Sequence, residues 1–124
     1  MVLDFEDTEA RRLNAAYGGS WSDPLVQDFY RALVCREEFL STKYGRGRAA
    51  TGTRRLLRNR GGDIVQCVEQ MTLRAGETPV FAEMVAAGLF EGTADYVVAK
   101  HRDRFSNAVV ARVHGRMVSN EISI

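Results

Sequence analysis

The residues best suited to chemistry form a run of basic side chains between positions 43 and 60. This run holds seven Lys and Arg residues and no Asp or Glu. The residues to which we assign a binding role are Lys43, Tyr44, Arg46, Arg48, Arg54, Arg55, Arg58 and Arg60. Six of the seven cations are Arg, whose planar guanidinium matches a phosphate through two parallel hydrogen bonds, whereas Lys offers a compact point charge. The pattern therefore favours contact with phosphate groups.

The overall charge of the chain conceals this concentration. The 124 residues carry a formal net charge of +1, but residues 1–42 have four basic against eight acidic side chains, and residues 61–124 have six against eight. A block of like charge repels itself, so a partner of opposite charge relieves it. The alternative is pairing with acids of this chain or of a second copy, for which the candidates are Glu37, Glu38, Asp4, Glu6, Asp7 and Glu9. Surface pairs of that kind are common and contribute little.

Glycines and apolar spacing divide the basic run into a loop and a short helix. Positions 43–53 contain three glycines and no apolar periodicity, which predicts a loop, and a helix follows at about 53–60 before Gly61-Gly62. On that helix Arg54, Arg55 and Arg58 fall within about 100° of arc, while Leu56 and Leu57 lie on the other side. The ring of Tyr44 offers a surface on which a base can stack.

The whole chain is predicted to be all-α, a single helical domain over residues 1–124 with five to six helices. Apolar residues at three- and four-residue spacing predict helices over 4–17, 24–41 and 63–75. Ser22-Asp23-Pro24, Asp63, Thr78-Pro79 and Thr93 supply start signals. A long C-terminal helix over about 93–118 would measure about 40 Å, which exceeds the width of such a domain. It either bends near Ser106-Asn107 or packs on a second copy, and we expect a homo-oligomer, such as a homodimer, formed through this helix.

One segment also supports a different fold class. Residues 64–74 partly alternate between apolar and polar side chains, as a strand does, and residues 78–87 could form the returning strand. The alternative fold is therefore α+β with a hairpin at about 64–87. We favour the helical interpretation, because the alternation breaks at Glu69 and Thr78-Pro79 is typical of a helix start.

Other short motifs lack the context that their chemistry needs. Residues 45–50 match G-x-G-x-x-A, but a predicted helix and not a strand precedes them, so we predict no dinucleotide cofactor. His101-Arg102-Asp103 matches the kinase catalytic triplet, yet Asn107 falls one residue short of the required spacing. The remaining candidate metal ligands are Cys35, Cys67, His101 and His114. Their spacing in the sequence does not match that of a zinc site. We therefore predict no catalytic residue, no metal site and no cofactor.

The cellular location is predicted from what the sequence lacks. Cys35 and Cys67 have no C-x-x-C spacing and are predicted to be reduced thiols. The first seven residues are acidic, unlike the start of a signal peptide, and no apolar run is long enough to span a bilayer. These observations predict a cytoplasmic protein that does not engage a membrane.

Three functional hypotheses follow. The first is a nucleic-acid-binding protein with little sequence specificity, with RNA and DNA both open. Residues 63–73 contain no Lys or Arg, so base recognition by a helix there is not favoured. The second is a helical protein–protein interaction module or adaptor whose arginines bind an acidic partner. The third is a small α+β enzyme that binds an anionic metabolite through Arg48 or Arg54. We lean away from an enzyme.

Overall fold

The computed structural model describes residues 5–45, 49–73 and 79–123, and every regular element in these ranges is a helix. The α-helices are α1 (Phe5–Tyr17), α2 (Pro24–Tyr44), α3 (Thr51–Asn59), α4 (Ile64–Leu73), α5 (Pro79–Ala86), α6 (Ala94–Lys100) and α7 (Asn107–Ser119). Short 3₁₀ helices at Phe90–Gly92 and Arg102–Arg104 flank α6. The predicted all-α class is confirmed, with slightly more helices than expected. In the described ranges, no helix combines the length and apolar character needed to cross a membrane.

Helix α2 lies at the centre of the bundle. It begins as the sequence predicts, because the Asp23 carboxylate accepts the Leu25 N–H at 3.0 Å and Pro24 occupies the first helical position. Its buried apolar side chains are Leu25, Val26, Phe29, Tyr30, Ala32 and Leu33. These side chains join the main core with residues of α3, α4, α6 and α7. Burial of one face of α2 is the main apolar contribution to the bundle.

A close backbone approach fixes α3 and α4 beside the end of α1. Gly62 has φ +81°, and a Cβ at this position would lie 2.6 Å from the carbonyl oxygen of Tyr17. The turn at Gly61-Gly62 therefore ends α3, as predicted, and only glycine fits its second position. On the other side of the contact, the Tyr30 hydroxyl donates to the Gly18 carbonyl oxygen at 2.6 Å. Together these contacts place α3 against the core.

The prediction of one continuous helix over 93–118 is wrong, and the alternative of a bend near Ser106-Asn107 is confirmed. Thr93 caps α6 by accepting the Tyr96 N–H at 3.2 Å, but α6 ends at Lys100. After the 3₁₀ turn, Ser106 caps α7 by accepting the Val109 N–H at 3.4 Å. Ser106 therefore starts a new helix here, because Ser, like Asp and Thr, is a favoured N-cap residue.

Contacts with α2 explain the break. His101 Nε2 lies 2.7 Å from Asp28 Oδ2, and Arg104 forms two hydrogen bonds to the Asp23 carboxylate at 2.9 and 3.0 Å. Phe105 is buried in the corner between the two helices. A straight helix would carry these side chains away from α2. Because the break shortens the segment, its length no longer argues for a second copy, and self-association through the C-terminal helix stays a prediction.

The alternative hairpin at about 64–87 is wrong over the described part of that range. Asp63 starts α4 by accepting the Gln66 N–H at 3.1 Å, and Ile64, Cys67 and Val68 are buried at helical spacing. Pro79 is the first residue of α5. Residues 74–78, which include Arg74 and Thr78, lie outside the described residues. The period of the apolar residues, rather than the partial alternation, decides the structure.

A buried carboxylate joins α1 to α2. The Asp7 side chain accepts hydrogen bonds from Arg31 Nε at 2.6 Å and from Arg31 Nη2 at 2.8 Å. Asp7 is 5% exposed, so the pair is partly shielded from water. These hydrogen bonds hold the pKa of Asp7 below its ordinary value of 3.8.

We expect Gly62→Ala to lower the free energy of unfolding by about 2 kcal/mol or more, because the added Cβ meets backbone atoms at a positive φ. The matched control is Gly52→Ala in α3, where nothing lies within 4 Å of the added Cβ. That change should stabilise the protein by up to about 1 kcal/mol, because alanine favours a helix. Urea unfolding measures both, and equal effects would contradict the close contact.

We expect Asp7→Asn to cost about 2 kcal/mol near neutral pH, because it removes a charge-assisted pair. The folded-state pKa of Asp7 lies below the unfolded value, so its contribution is fully present above about pH 5 and is lost as the pH falls through the folded pKa. The difference between wild type and variant should therefore shrink in acid. Urea unfolding across a pH series measures this, with the exposed Asp103→Asn as control; a difference independent of pH would refute it.

Candidate functional site

Helix α3 presents the basic residues as the sequence predicts. Thr53 and Leu57 are buried on its inner side, and Leu56 packs partly against the core. Arg55 and Arg58 are exposed on the opposite side. The amphipathic spacing of this helix therefore fixes which of its guanidinium groups face solvent.

Arg54 is committed to an internal ion pair. Its Nε and Nη2 donate to the two Glu37 carboxylate oxygens at 2.7 and 2.5 Å, and Glu37 also accepts the Ala50 N–H at 2.9 Å. The guanidinium lies 5.9 Å from the centre of the Tyr17 ring. The hydrogen bonds to Glu37 raise the pKa of Arg54, so its guanidinium keeps its charge. Arg54 thus ties the start of α3 to α2, as the alternative of pairing with Glu37 predicts.

Lys43 and Tyr44 belong to the last turn of α2 rather than to the predicted loop. The Lys43 ammonium pairs with the Glu83 carboxylate of α5, and the Tyr44 hydroxyl donates to both Glu83 oxygens at 3.2 Å. The hydrogen bond from Lys43 lowers the pKa of Glu83, and the same bond raises the pKa of Lys43. Tyr44 as a whole residue remains 47% exposed, although its hydroxyl is held by Glu83.

Arg55, Arg58 and Arg60 form the exposed remainder of the cluster, which we call the α3 arginine surface. Arg58 Nη1 donates to the Tyr17 hydroxyl at 3.5 Å, and Arg60 Nε donates to the Gln70 side-chain oxygen at 3.2 Å. Among the described residues, no carboxylate is within ion-pair distance of these three guanidinium groups. Arg58 and Arg60 lie at the C-terminal end of α3, where the helix dipole favours positive charge.

The structure therefore divides the eight predicted residues into three groups. Lys43, Tyr44 and Arg54 are held by Glu83 and Glu37, whereas the α3 arginine surface is open to solvent. Arg46 and Arg48 lie outside the described residues, as does half of the G-x-G-x-x-A stretch. The cluster is thus less concentrated than its sequence implies, because two of its cations carry their own carboxylate.

Some partners of the site were not predicted. Tyr17, which contacts Arg54 and Arg58, is not among the residues that the sequence assigns to binding. Glu83 was not among the candidate acids, because it lies in a segment whose fold was ambiguous. No local pattern in the sequence connects Glu83 with Lys43, which is forty residues away.

The cysteine and histidine residues do not gather into a second site. Cys67 is buried beside the Leu56 carbonyl oxygen, and burial raises the pKa of its thiol to about 11. Both cysteines are free thiols. His101 contacts Asp28, as described above, and His114 is exposed on α7. Within the described residues, no three His, Cys, Asp or Glu side chains are placed to hold a metal ion.

Comparison of the chain with protein-family models, with curated proteins and with solved structures finds no match. The function is therefore inferred from the α3 arginine surface and its surroundings alone.

We expect Arg54→Ala to lower the free energy of unfolding by about 2 kcal/mol, because the Glu37 carboxylate, whose side chain is 15% exposed, would lose its charged partner. Arg55→Ala is the matched control on the same helix, and it should change stability by less than about 0.5 kcal/mol because the side chain is exposed. Denaturant unfolding compares the two variants. Equal losses would contradict the division of the cluster into held and open arginines.

Proposed function

We propose that this protein binds the phosphate backbone of nucleic acid, with little sequence specificity, through the α3 arginine surface. The observation that carries the proposal is the exposure of Arg55, Arg58 and Arg60 without a neighbouring carboxylate in the described residues. Each guanidinium can donate two parallel hydrogen bonds to a phosphate. A polyanion would also relieve the repulsion between these like charges.

The rigid placement of α3 supports this proposal. Leu57 is fully buried, and the Arg54–Glu37 pair and Gly62 fasten the two ends of the helix. The hydroxyl of Tyr17 and the amide of Gln70 hold Arg58 and Arg60 without neutralising them. Positioning donors before the ligand arrives lowers the entropy cost of binding.

Low sequence specificity follows from the next helix. In a helix-turn-helix arrangement α4 would enter the major groove, but Ile64–Leu73 contains no Lys or Arg. The positive charge precedes the turn and suits phosphates, which carry no sequence information. The proposal does not distinguish RNA from DNA, and the binding experiment below therefore tests both.

The other predicted residues have supporting roles in the proposal. Tyr44 has an exposed ring on which an unpaired base can stack. Lys43 and Arg54 contribute less to binding, because each already has a carboxylate partner. Arg46 and Arg48 stay predicted phosphate contacts on sequence alone. A cytoplasmic location is part of the same proposal.

The structure affects the two other hypotheses in different ways. The α+β enzyme loses its scaffold, because residues 64–73 and 79–86 are helical. A helical adaptor with an acidic protein partner would use the same arginine surface. Polyglutamate therefore serves as the competitor that separates it from nucleic acid.

We expect the protein to bind duplex DNA of unrelated sequences with similar affinity and with a log–log salt slope of about −2.7 or steeper. Three guanidinium groups each neutralise one phosphate, which contributes about −0.9 to the slope, or about −0.7 for a single strand. Arg55→Gln/Arg58→Gln should move the duplex slope toward zero by about 1.8 and weaken binding to every sequence. Fluorescence anisotropy over a salt series measures both quantities for duplex DNA and for single-stranded RNA.

The charge-matched control is Arg11→Gln/Arg12→Gln, which removes two exposed cations from α1. This control should bind like wild type once its smaller net charge is allowed for. Binding that ignores salt, or that the α3 variant leaves intact, would refute the proposal. Displacement of the nucleic acid by polyglutamate at equal charge would favour an acidic protein as the partner.

A further inference from the structure

A cavity of about 480 Å³ lies between α6, α7 and the C-terminal residues, away from the α3 arginine surface. Its walls are formed mainly by the apolar side chains Val98, Val110, Val113, Met117, Val118 and Ile122. Small-molecule sites occupy about 300–1,000 Å³ and are largely apolar, with a few polar groups that orient the ligand. The cavity matches that description in both size and lining.

The fold builds this cavity from the break after α6. The turn at residues 101–106 brings α7 back along α6, so that two short helices replace one long rod. At the far end, Glu121 adopts φ +56°, which is uncommon for a residue other than glycine. This conformation directs the Ile122 N–H to the Met117 carbonyl oxygen at 2.8 Å and places Ile122 on the cavity wall.

The polar groups of the cavity favour an anion. Arg102, Asn107 and His114 line it, and no Asp or Glu is among the described residues of its lining. Arg102 is exposed, and no carboxylate in the described residues is within ion-pair distance of it. Glu69, whose carboxylate accepts the Ser106 N–H at 3.1 Å, does not line the cavity, and Arg102 is the one Lys or Arg side chain among the described lining residues.

The concave shape argues against a second copy as the occupant. In a symmetric dimer the same surface of both copies forms the interface. An apolar side chain projecting from each copy would therefore have to enter the cavity of the other. The large apolar side chains exposed in the described residues are Tyr44, Leu73 and Val118. Tyr44 and Leu73 belong to α2 and α4 and do not line the cavity, and Val118, which does, is too small to fill about 480 Å³. A small flexible ligand fits the concavity without such a projection.

We propose that this cavity binds a medium-chain aliphatic carboxylate, with its hydrocarbon chain along the apolar walls and its carboxylate against Arg102. The two parts of the ligand match the two parts of the site. Burying each additional methylene tightens binding about fourfold, so chain length should govern affinity. The guanidinium should distinguish the acid from the alcohol of equal length.

Isothermal titration calorimetry tests the proposal, with decanoate and octanoate below their micellar concentrations and decanol below its solubility limit. Decanoate should bind about fifteenfold more tightly than octanoate, from two methylenes at about fourfold each. Decanoate should also bind about tenfold more tightly than decanol, the effect of about one charge-assisted hydrogen bond. Arg102→Gln should remove the preference for the acid, whereas Arg12→Gln should preserve it.

Filling the cavity supplies a second test with a matched control. Ala111 and Ala108 are both exposed on α7, but only Ala111 lines the cavity. Ala111→Trp should abolish decanoate binding, and Ala108→Trp should leave it unchanged. Circular dichroism checks that both variants fold, and Arg102→Gln tests the same site without added bulk.

Equal binding of decanol and decanoate to the wild-type protein would overturn the proposal, as would binding that persists unchanged in Ala111→Trp. A third combination of results would also overturn it. In that case the wild-type chain binds no decanoate and sediments as a dimer, and Ala111→Trp dissociates the dimer. That outcome would assign this face to a second copy of the chain.

Discussion

The structure depends on α2, which combines an apolar face in the core with charged side chains that bind neighbouring elements. Arg31 holds Asp7 of α1, and Asp28 contacts His101 beyond the end of α6. Glu37 and Lys43, further along the helix, pair with α3 and α5. Burial supplies most of the stabilisation, because hydrophobic area is the dominant favourable contribution to folding. The ion pairs act differently, by fixing where each shorter helix meets α2.

The same ion pairs determine which cations are open to a ligand. A carboxylate on α2 takes Arg54, and a carboxylate on α5 takes Lys43, whereas the outer side of α3 receives neither. The fold therefore separates the cations of the basic run into those that pair with a carboxylate, Lys43 and Arg54, and the exposed arginines of α3. A count of charged residues along the sequence contains no information about that division, because the acids concerned are distant in the chain.

Much of the fold follows from local patterns in the sequence. Asp23, Asp63 and Thr93 mark helix starts that the structure confirms, because a capping side chain acts within three residues. The end of α6 was missed, since it is fixed by contacts of His101 and Arg104 with α2. Helical spacing predicts the exposed side of Arg55 and Arg58 correctly, but not the pairing of Arg54 with Glu37. The pairing of Lys43 with Glu83 could not be, because it depends on where α5 packs.

The contact of Gly62 with the end of α1 has a consequence for recognising relatives of this chain. Any side chain at that position would separate α1 from the turn that carries α3. A homologous sequence that keeps this glycine, together with an apolar residue equivalent to Leu57, therefore retains the docked orientation of the basic helix even if its arginines have diverged. Substitution of the glycine in a relative would mark a lineage in which that helix packs elsewhere.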